Sequence, residues 1–159
     1  DKGILPDFIT VDASEGGTGA APIEYSNNIG LRGEEALLFV NETLSALKIR
    51  DKIKIIYAGK ITSGVTMYKA FCRGADICNS ARGFMFSLGC IQSLRCHTNT
   101  CPTGVATQNK ELQKGLVPKQ KSKRVEAYHR NTVDSFLEIL AATGVNDIKD
   151  LTLDKLKHV

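Results

Sequence analysis

The sequence predicts an α/β fold built on a parallel sheet, and two observations carry this prediction. Short apolar segments with the character of strands alternate with longer segments of helical periodicity, in the order strand, helix, strand, helix, strand. Each of these strands ends in glycine or in a polar turn. Such alternation is typical of parallel sheets with right-handed crossovers, in which function collects at the carboxyl ends of the strands.

The predicted strands are short apolar runs bounded by turn residues, and they comprise residues 7–11, 53–57 and 76–79. The first strand runs into a glycine-rich turn at residues 12–22, where backbone can approach a ligand closely. A flexible loop without a ligand is the alternative for this turn. The dinucleotide-binding fingerprint is excluded here, because the G-x-G-x-x-G spacing is missing.

The segments that follow the first two strands, residues 32–48 and 63–73, have the apolar spacing of helices. The apolar face of the first helix consists of Ala36, Leu37, Val40, Leu44 and Leu47. Gly74 is expected to end the second helix as a left-handed C-terminal cap.

The last third of the chain predicts an irregular stretch at residues 105–116 and a long helix at residues 122–142, which Gly144 ends. The apolar face of this helix consists of Val125, Tyr128, Val133, Phe136, Leu137 and Leu140. Residues 147–156 are expected to form one last short helix, with Thr152 as a cap for residues 153–156.

The turns after the second and third strands, residues 59–64 and 80–83, each combine glycine with a cation, Lys60 in the first and Arg82 in the second. Backbone N–H groups beside such cations make a plausible phosphate cradle. Ordinary turn chemistry without a ligand is the alternative for either turn.

Three of the five cysteines lie in one loop, residues 89–104, with the spacing C-x5-C-x4-C. They are Cys90, Cys96 and Cys101. Thiolates are soft ligands that can converge on one metal centre, and a proline after the last cysteine is also found in ferredoxin-type cluster loops. Three thiolates suit a three-iron cluster. The alternatives are a zinc site completed by His97 or a distant ligand, and unligated cysteines in a tight turn.

The composition restricts the class of protein. The chain has 159 residues, 42% hydrophobic and 24% charged, which is typical of one soluble globular domain. It contains no signal-peptide pattern and no membrane segment, and its odd number of cysteines argues against a disulfide framework, so we expect a cytoplasmic protein. Cys72 and Cys78 are expected to be buried, inert thiols.

The net charge of +4 comes largely from a basic run late in the chain. Its members are Lys114, Lys119, Lys121, Lys123 and Arg124. The run has no interleaved aromatic residues, which predicts a solvated helix start and no binding of nucleic acid.

Four segments resemble the FMN-binding domain of glutamate synthase, and resemble the shorter FMN-binding glutamate-synthase-like proteins more closely still. They are SEGGTGAAP, AGKITSG, SARGFMFSLGCIQ and CHTNTCPTGVATQ, in this order. The resemblance implies that the chain is the C-terminal portion of a TIM barrel, about three βα units. Residues 1–110 would form the partial FMN-binding barrel with an iron–sulfur loop at 89–104, and residues 111–159 a C-terminal helical extension.

The resemblance also implies the site residues, because the predicted strands correspond to the sixth, seventh and eighth strands of the barrel. Four residues would lie at the FMN phosphate, namely Gly59, Lys60, Ala81 and Arg82. Three more would lie near the flavin or the substrate, namely Gly16, Gly17 and Thr18. A 3Fe-4S cluster would be bound by Cys90, Cys96 and Cys101. No catalytic side chain is identified.

The reaction implied by the resemblance is the reduction of 2-iminoglutarate, made from 2-oxoglutarate and ammonia, to L-glutamate. Electrons would reach FMN through the cluster from an electron-donor protein or subunit. A complete barrel has eight strands and about 250 residues. We therefore expect this chain to be incomplete for catalysis alone and to need the missing barrel half or another copy. A non-catalytic module that binds zinc or a cluster is the alternative.

Three substitutions distinguish this sequence from the larger enzymes that it resembles. Ser14-Glu15 replaces their histidine–aspartate pair, Gly59-Lys60 their paired glycines, and Ala81-Arg82 their glycine–threonine pair. An arginine can bind phosphate through a charge-assisted fork, so the last change is compatible with FMN. The first change is expected to alter the group that sits over the flavin.

Overall fold

The computed structural model describes residues 3–13, 21–22, 24–25 and 28–158. In this part of the chain, three parallel strands form one sheet in the order β1-β2-β3. The strands are β1 (Phe8–Asp12), β2 (Lys54–Ala58) and β3 (Ile77–Cys78). Phe8 pairs with Lys54, and Ile56 pairs with Ile77. The prediction of a parallel α/β sheet is confirmed, and every strand begins one residue later than expected.

Two helices connect these strands, α1 (Gly33–Ala46) between β1 and β2 and α2 (Gly64–Cys72) between β2 and β3. Ser63 caps α2 in a reciprocal capping box with Thr66. Gly74 has a φ of +98°, which confirms its prediction as a left-handed residue at the end of α2.

The second half of the chain contains three further α-helices, α3 (Arg82–Leu88), α4 (Lys110–Gln113) and α5 (Pro118–Ala142). α5 begins four residues earlier than expected, because Pro118 suits the first turn of a helix. α3 was not predicted, and α4 lies within the stretch expected to be irregular. Short elements of seven and four residues give too little periodicity to be recognised from sequence.

The remaining elements are single turns of 3₁₀ helix at Cys96–Thr98 and Ile148–Asp150 and a longer one at Leu153–His158. The last two replace the single helix expected at residues 147–156. They are separated by Leu151, which has an extended backbone and is 6% exposed. Burial of this leucine in the core accounts for the break.

The core lies between one face of the sheet and helices α1, α2 and α5. Leu37, Ile55 and Tyr68 are all 0% exposed. The rings of Phe71 on α2 and Phe136 on α5 lie 5.3 Å apart, so α5 belongs to the same core as the sheet. Within the described residues, none of the helices combines the length and the apolar character needed to cross a membrane.

Two leucines that were expected on apolar helix faces are exposed, so these assignments were wrong. Leu47 is 62% exposed because α1 already ends at Ala46. Leu137 is 51% exposed because α5 presents Phe136 and Leu140 to the core, and residue 137 lies beside that stripe.

Candidate functional site

The turns after β2 and β3 lie side by side at the carboxyl edge of the sheet. The Ser80 hydroxyl donates a hydrogen bond to the Ile61 carbonyl oxygen at 2.6 Å. From α5, the Tyr128 hydroxyl donates to the Thr62 carbonyl oxygen at 3.0 Å. The two hydroxyl oxygens are 3.5 Å apart. These contacts join the two predicted phosphate turns to each other and to α5.

Glycine is required at one position in each turn because a tyrosine occupies the adjacent space. A Cβ built on Gly59 would lie 2.0 Å from the Tyr57 hydroxyl oxygen. A Cβ built on Gly83 would lie 1.8 Å from the Tyr128 hydroxyl oxygen. Both distances are far below van der Waals contact, so any larger residue would displace the neighbouring tyrosine ring.

Each turn also presents its cation at the edge of the sheet. Lys60 is exposed and has a left-handed φ of +50°, which is uncommon for a residue other than glycine. Arg82 is half-buried and is the first residue of α3. Ala81, exposed, precedes it without capping the helix through its side chain. The edge therefore carries two positive charges close to the joined turns.

A cavity of about 400 Å³ opens beside Gly59 and Lys60, between α1 and α2. Its charged lining residues are Arg32, Glu34, Glu35, Lys60, Lys69 and Arg73. Arg73 is paired with Glu34 at 2.8 Å, so part of this charge is internally compensated. The cavity lies on the α1 side of the first turn, whereas Ser80 joins that turn on its β3 side.

The third predicted group, Gly16, Gly17 and Thr18, lies outside the described residues, as do Ser14 and Glu15. Ala13, the last described residue before them, lies beside the turn that follows β2. The Ala13 N–H donates to the Ala58 carbonyl oxygen at 3.2 Å, one residue before Gly59. The described end of β1 thus lies at the edge that holds the two turns.

The cysteine loop begins directly after α3 and is closed by a polar contact across it. Gly89 ends α3 with a φ of +107°, and the Cys90 N–H donates to the Met85 carbonyl oxygen at 3.0 Å. Further along, the Asn99 carbonyl oxygen accepts a hydrogen bond from the Thr107 hydroxyl at 2.7 Å. The loop is therefore bonded to α3 at its start and, through Asn99, to a residue just after it.

All three loop cysteines are free thiols, and Cys101 is the most buried of them, at 5% exposure. Burial raises the pKa of this thiol, but hydrogen bonds to the sulfur outweigh burial and lower the pKa to about 7. The donors are the Thr103 hydroxyl and backbone groups of Ala106, Thr103 and Val105. Hydrogen bonds of this kind favour the thiolate, which is the form that binds metals.

The three sulfur atoms are not gathered into one ligand set. Across the described ranges, no three histidine, cysteine, aspartate or glutamate side chains lie in an arrangement that could hold a metal ion. The chemistry of the donor set nevertheless fits an iron–sulfur cluster, because three free thiols occupy one loop and one sulfur already receives several hydrogen bonds. Binding a cluster would require the three sulfur atoms to come closer together.

Of the two cysteines outside the loop, Cys72 is buried as predicted, whereas Cys78 is half-buried. Cys72 is 3% exposed, and burial raises its pKa. Burial raises the pKa of Cys78 to about 12. Both thiols therefore stay protonated at neutral pH, and neither is a ready nucleophile or ligand.

Sequence reasoning missed the supporting residues of this site, above all Ser80, Thr103 and Tyr128. Tyr128 was recognised only as part of an apolar helix face. A tyrosine on such a face can place its hydroxyl against a neighbouring turn, and this is the one signal that the sequence offered. The partners of Ser80 and Thr103 depend on tertiary packing and on loop geometry.

The chain matches the family described as the conserved region in glutamate synthase over residues 3–146. It is 45% identical to the glutamate synthase large subunit-like protein YerD of Bacillus subtilis over 145 residues, which cover 91% of this chain and 28% of that protein. It is 35% identical over 155 residues to an archaeal glutamate synthase (NADPH) of Methanocaldococcus jannaschii, covering 96% of this chain and 30% of that protein.

A third relative is ferredoxin-dependent glutamate synthase 1, chloroplastic/mitochondrial, of Arabidopsis thaliana. It is 33% identical over 145 residues, which cover 91% of this chain and 9% of that protein. The chain thus spans less than a third of the length of each of these relatives. On the strength of the family match and these identities, the chain belongs to the glutamate synthase family.

Proposed function

We propose that this chain is the segment of a glutamate synthase-like oxidoreductase that binds the FMN phosphate and an iron–sulfur cluster. The observation that carries the proposal is the match of residues 3–146 to the conserved region in glutamate synthase. That range contains both turns at the sheet edge and the whole cysteine loop. The proposal includes the division into a partial TIM barrel, residues 1–110, and a helical extension, residues 111–159.

The FMN phosphate would be bound at the joined turns, by Gly59 and Lys60 from one turn and Ala81 and Arg82 from the other. Two observations support this part of the proposal. The turns are adjacent because Ser80 bonds to Ile61 across them. Each turn also contributes one cation, and charge-assisted hydrogen bonds to phosphate are stronger than neutral ones. The glycine-rich segment at Gly16, Gly17 and Thr18 would approach the flavin or the substrate from the end of β1.

Cys90, Cys96 and Cys101 would bind the cluster, which we propose to be of the 3Fe-4S type because the loop supplies three thiolates. Cys101 would enter the site partly in its thiolate form, since hydrogen bonds already lower its pKa to about 7. The other two cysteines are half-buried in the same loop and would supply the other two ligands.

Bound FMN would supply the two electrons that, with two protons, convert 2-iminoglutarate to L-glutamate, and the cluster would pass electrons to it from an electron-donor protein or subunit. The residues of this chain would position both cofactors and balance their negative charge. The oxoacid site and the face of the flavin would be completed by the missing barrel half or by a second copy. A cytoplasmic location is part of the same proposal.

The test is an absorption spectrum of the protein purified without oxygen, with iron, zinc and FMN assayed on the same sample. The expected result is a brown protein with about three irons per chain, the stoichiometry of a cluster on three thiolates. On denaturation, the protein should release FMN in an amount equal to the amount of the polypeptide chain. Zinc without iron, or neither metal, would reject the cluster and favour the alternative of a structural module that carries no redox chemistry.

A further inference from the structure

An apolar groove with a volume of about 630 Å³ lies between α3 and the first half of α5 and opens to solvent. We call it the α3–α5 groove. Its apolar lining consists of Phe84, Leu88, Leu116, Pro118 and Val125. Contiguous apolar surface of this kind on a folded protein marks a site of interaction. The question is therefore which occupant the groove fits.

Contacts at each end hold the two walls of the groove together. At one end, the ring of Phe84 stacks on that of His129 with the centroids 6.2 Å apart. At the other end, a Cβ built on Gly89, which ends α3, would lie 2.8 Å from the Lys121 ammonium nitrogen and 3.9 Å from Nη1 of Arg124. The two helices thus run antiparallel, and two cations lie at the end of the groove where α3 stops.

The charge at this end of the groove is positive and uncompensated. Among the described residues, Lys121 and Arg124 belong to no ion pair. The one carboxylate in the lining, Glu126, is already paired with Arg130 on the next turn of α5. An occupant that matches the groove therefore combines an apolar group with negative charge.

The chain itself carries such a surface on α1. Phe39 is 64% exposed, although it lies in the middle of this helix. Glu35 and Glu42 lie four residues before it and three residues after it, so the three side chains share one face. Both glutamates are exposed, and neither belongs to an ion pair within the described part of the chain. We call this surface the α1 face.

We propose that the α1 face of one copy of this chain docks into the α3–α5 groove of a second copy. The Phe39 ring would enter among the apolar side chains, and the two carboxylates would lie toward Lys121 and Arg124. Aromatic anchors in desolvated pockets dominate binding energy, whereas complementary charges fix the orientation of the partners. Phe39 stays exposed within one copy, so the contact forms between copies. It needs neither cofactor and therefore goes beyond the proposed function.

The experiment is sedimentation velocity of the full-length protein over a series of concentrations, with thermal unfolding of each sample as a check on folding. The parent should form larger species as the concentration rises. Phe39→Ser should lower the association constant about thirtyfold, the loss expected for an aromatic anchor. The control is Leu137→Ser, which removes a 51% exposed apolar side chain from the second half of α5, outside both surfaces, and should associate as the parent does.

Reversal of the charges tests whether the α1 face meets the groove. The reversal on α1 is Glu35→Lys with Glu42→Lys, and the reversal on α5 is Lys121→Glu with Arg124→Glu. Each reversal alone should weaken association, because like charges would then face each other. The variant that combines both reversals should regain association, because opposite charges again meet across the contact.

A matched control separates this contact from an effect of net charge. It combines the α1 reversal with Lys52→Glu and Lys110→Glu, which change two exposed lysines outside the groove. This variant has the same net charge as the combined reversal and should not regain association. Equal recovery in the two variants would overturn the proposal, because the recovery would then depend on net charge alone.

Two further results would also overturn the proposal. One is a full-length parent that stays monomeric at every concentration, and the other is unchanged association in Phe39→Ser. Loss of association in Phe39→Ser without recovery in the combined reversal would assign the α1 face to an occupant other than the groove. Iron and FMN are assayed on the parent as well, so a failure of the proposed function is seen separately from a failure of self-association.

Discussion

The carboxylate of Asp76 lies 2.8 Å from the guanidinium of Arg50, and this pair joins the starts of β2 and β3. The same carboxylate oxygen accepts the Ile55 N–H at 2.8 Å, while the guanidinium also donates to the Gly74 carbonyl oxygen at 2.7 Å. Both side chains are about a quarter exposed. The amino-terminal edge of the sheet is thus held by an ion pair whose two members also form hydrogen bonds with backbone groups.

Replacing Asp76 by alanine should lower the free energy of unfolding by about 2 kcal/mol, because Arg50 loses its anion and the Ile55 N–H loses its acceptor. The measurement is urea unfolding at neutral pH. The matched control is Glu111→Ala, which breaks the exposed pair with Lys114 and should cost less than about 1 kcal/mol. Equal losses in the two variants would contradict the structural importance of the Arg50–Asp76 pair.

Replacing Cys96 by serine should remove most of the iron from the anaerobically purified protein, because a three-thiolate site cannot tolerate the loss of one soft ligand. Iron and absorbance are measured against the parent. Cys78→Ala is the control, since burial keeps the Cys78 thiol protonated and it lies on β3. Unchanged iron in Cys96→Ser, or equal loss in Cys78→Ala, would contradict the ligand assignment.

Replacing Arg82 by alanine should weaken FMN retention by about thirtyfold in the dissociation constant, which corresponds to the loss of about 2 kcal/mol from a charge-assisted hydrogen bond. Fluorescence titration of the deflavinated full-length protein provides the measurement. Arg130→Ala removes an exposed arginine paired with Glu126 on α5 and should leave the affinity for FMN as it was. An unchanged affinity in Arg82→Ala would reject its phosphate role.

The sequence predicts those features of the structure that depend on interactions between residues close together in the chain. The strands, α1, α2 and α5 follow from apolar periodicity, and Gly74 follows from local backbone geometry. The positions of Leu47 and Leu137 did not follow, because they depend on where a helix ends and on what covers it. Periodicity carries no information on either point.

The candidate site shows the same division. Residue types and their spacing are enough to predict the cysteine loop and the cationic turns as candidates. The contact of Ser80 with Ile61, the hydrogen bonds around Cys101 and the approach of Lys121 to Gly89 arise only when distant segments fold together. Such contacts combine residues that are far apart in the chain or that meet in irregular loops, so no pattern in the sequence marks them.

Replacing Gly83 by alanine should lower the free energy of unfolding by about 2 kcal/mol, in the range found for overpacked sites. The reason is the Tyr128 hydroxyl oxygen, which lies 1.8 Å from where the new Cβ would be. Chemical unfolding of a double-mutant cycle with Tyr128→Ala provides the measurement. In the Tyr128→Ala background the cost of Gly83→Ala should largely disappear, because the clashing atoms are absent.

A further variant, measured in the same way, tests the hydrogen bond between α5 and the turn after β2. Tyr128→Phe removes only the hydroxyl that donates to the Thr62 carbonyl oxygen at 3.0 Å. We expect a loss of about 1 kcal/mol from this hydrogen bond. Strictly additive effects of Gly83→Ala and Tyr128→Ala would contradict the close approach of the two residues.

The free energy of unfolding should fall as the pH rises from about 9 to about 12, and Cys78 should account for part of this fall. Burial raises its pKa from 9.0 to about 12, so the folded protein keeps the proton that the unfolded chain releases in this range. The sign is therefore destabilising, by at most about 1.4 kcal/mol per pH unit for one proton. Urea unfolding under reducing conditions at pH 8 and pH 10 measures the effect.

The control variant Cys78→Ala should show a weaker dependence of the free energy of unfolding on pH. The dependence should not vanish, because burial also raises the pKa values of Tyr68 and Cys72. An identical slope in the variant and the parent would mean that Cys78 ionises as readily in the folded protein as in the unfolded chain.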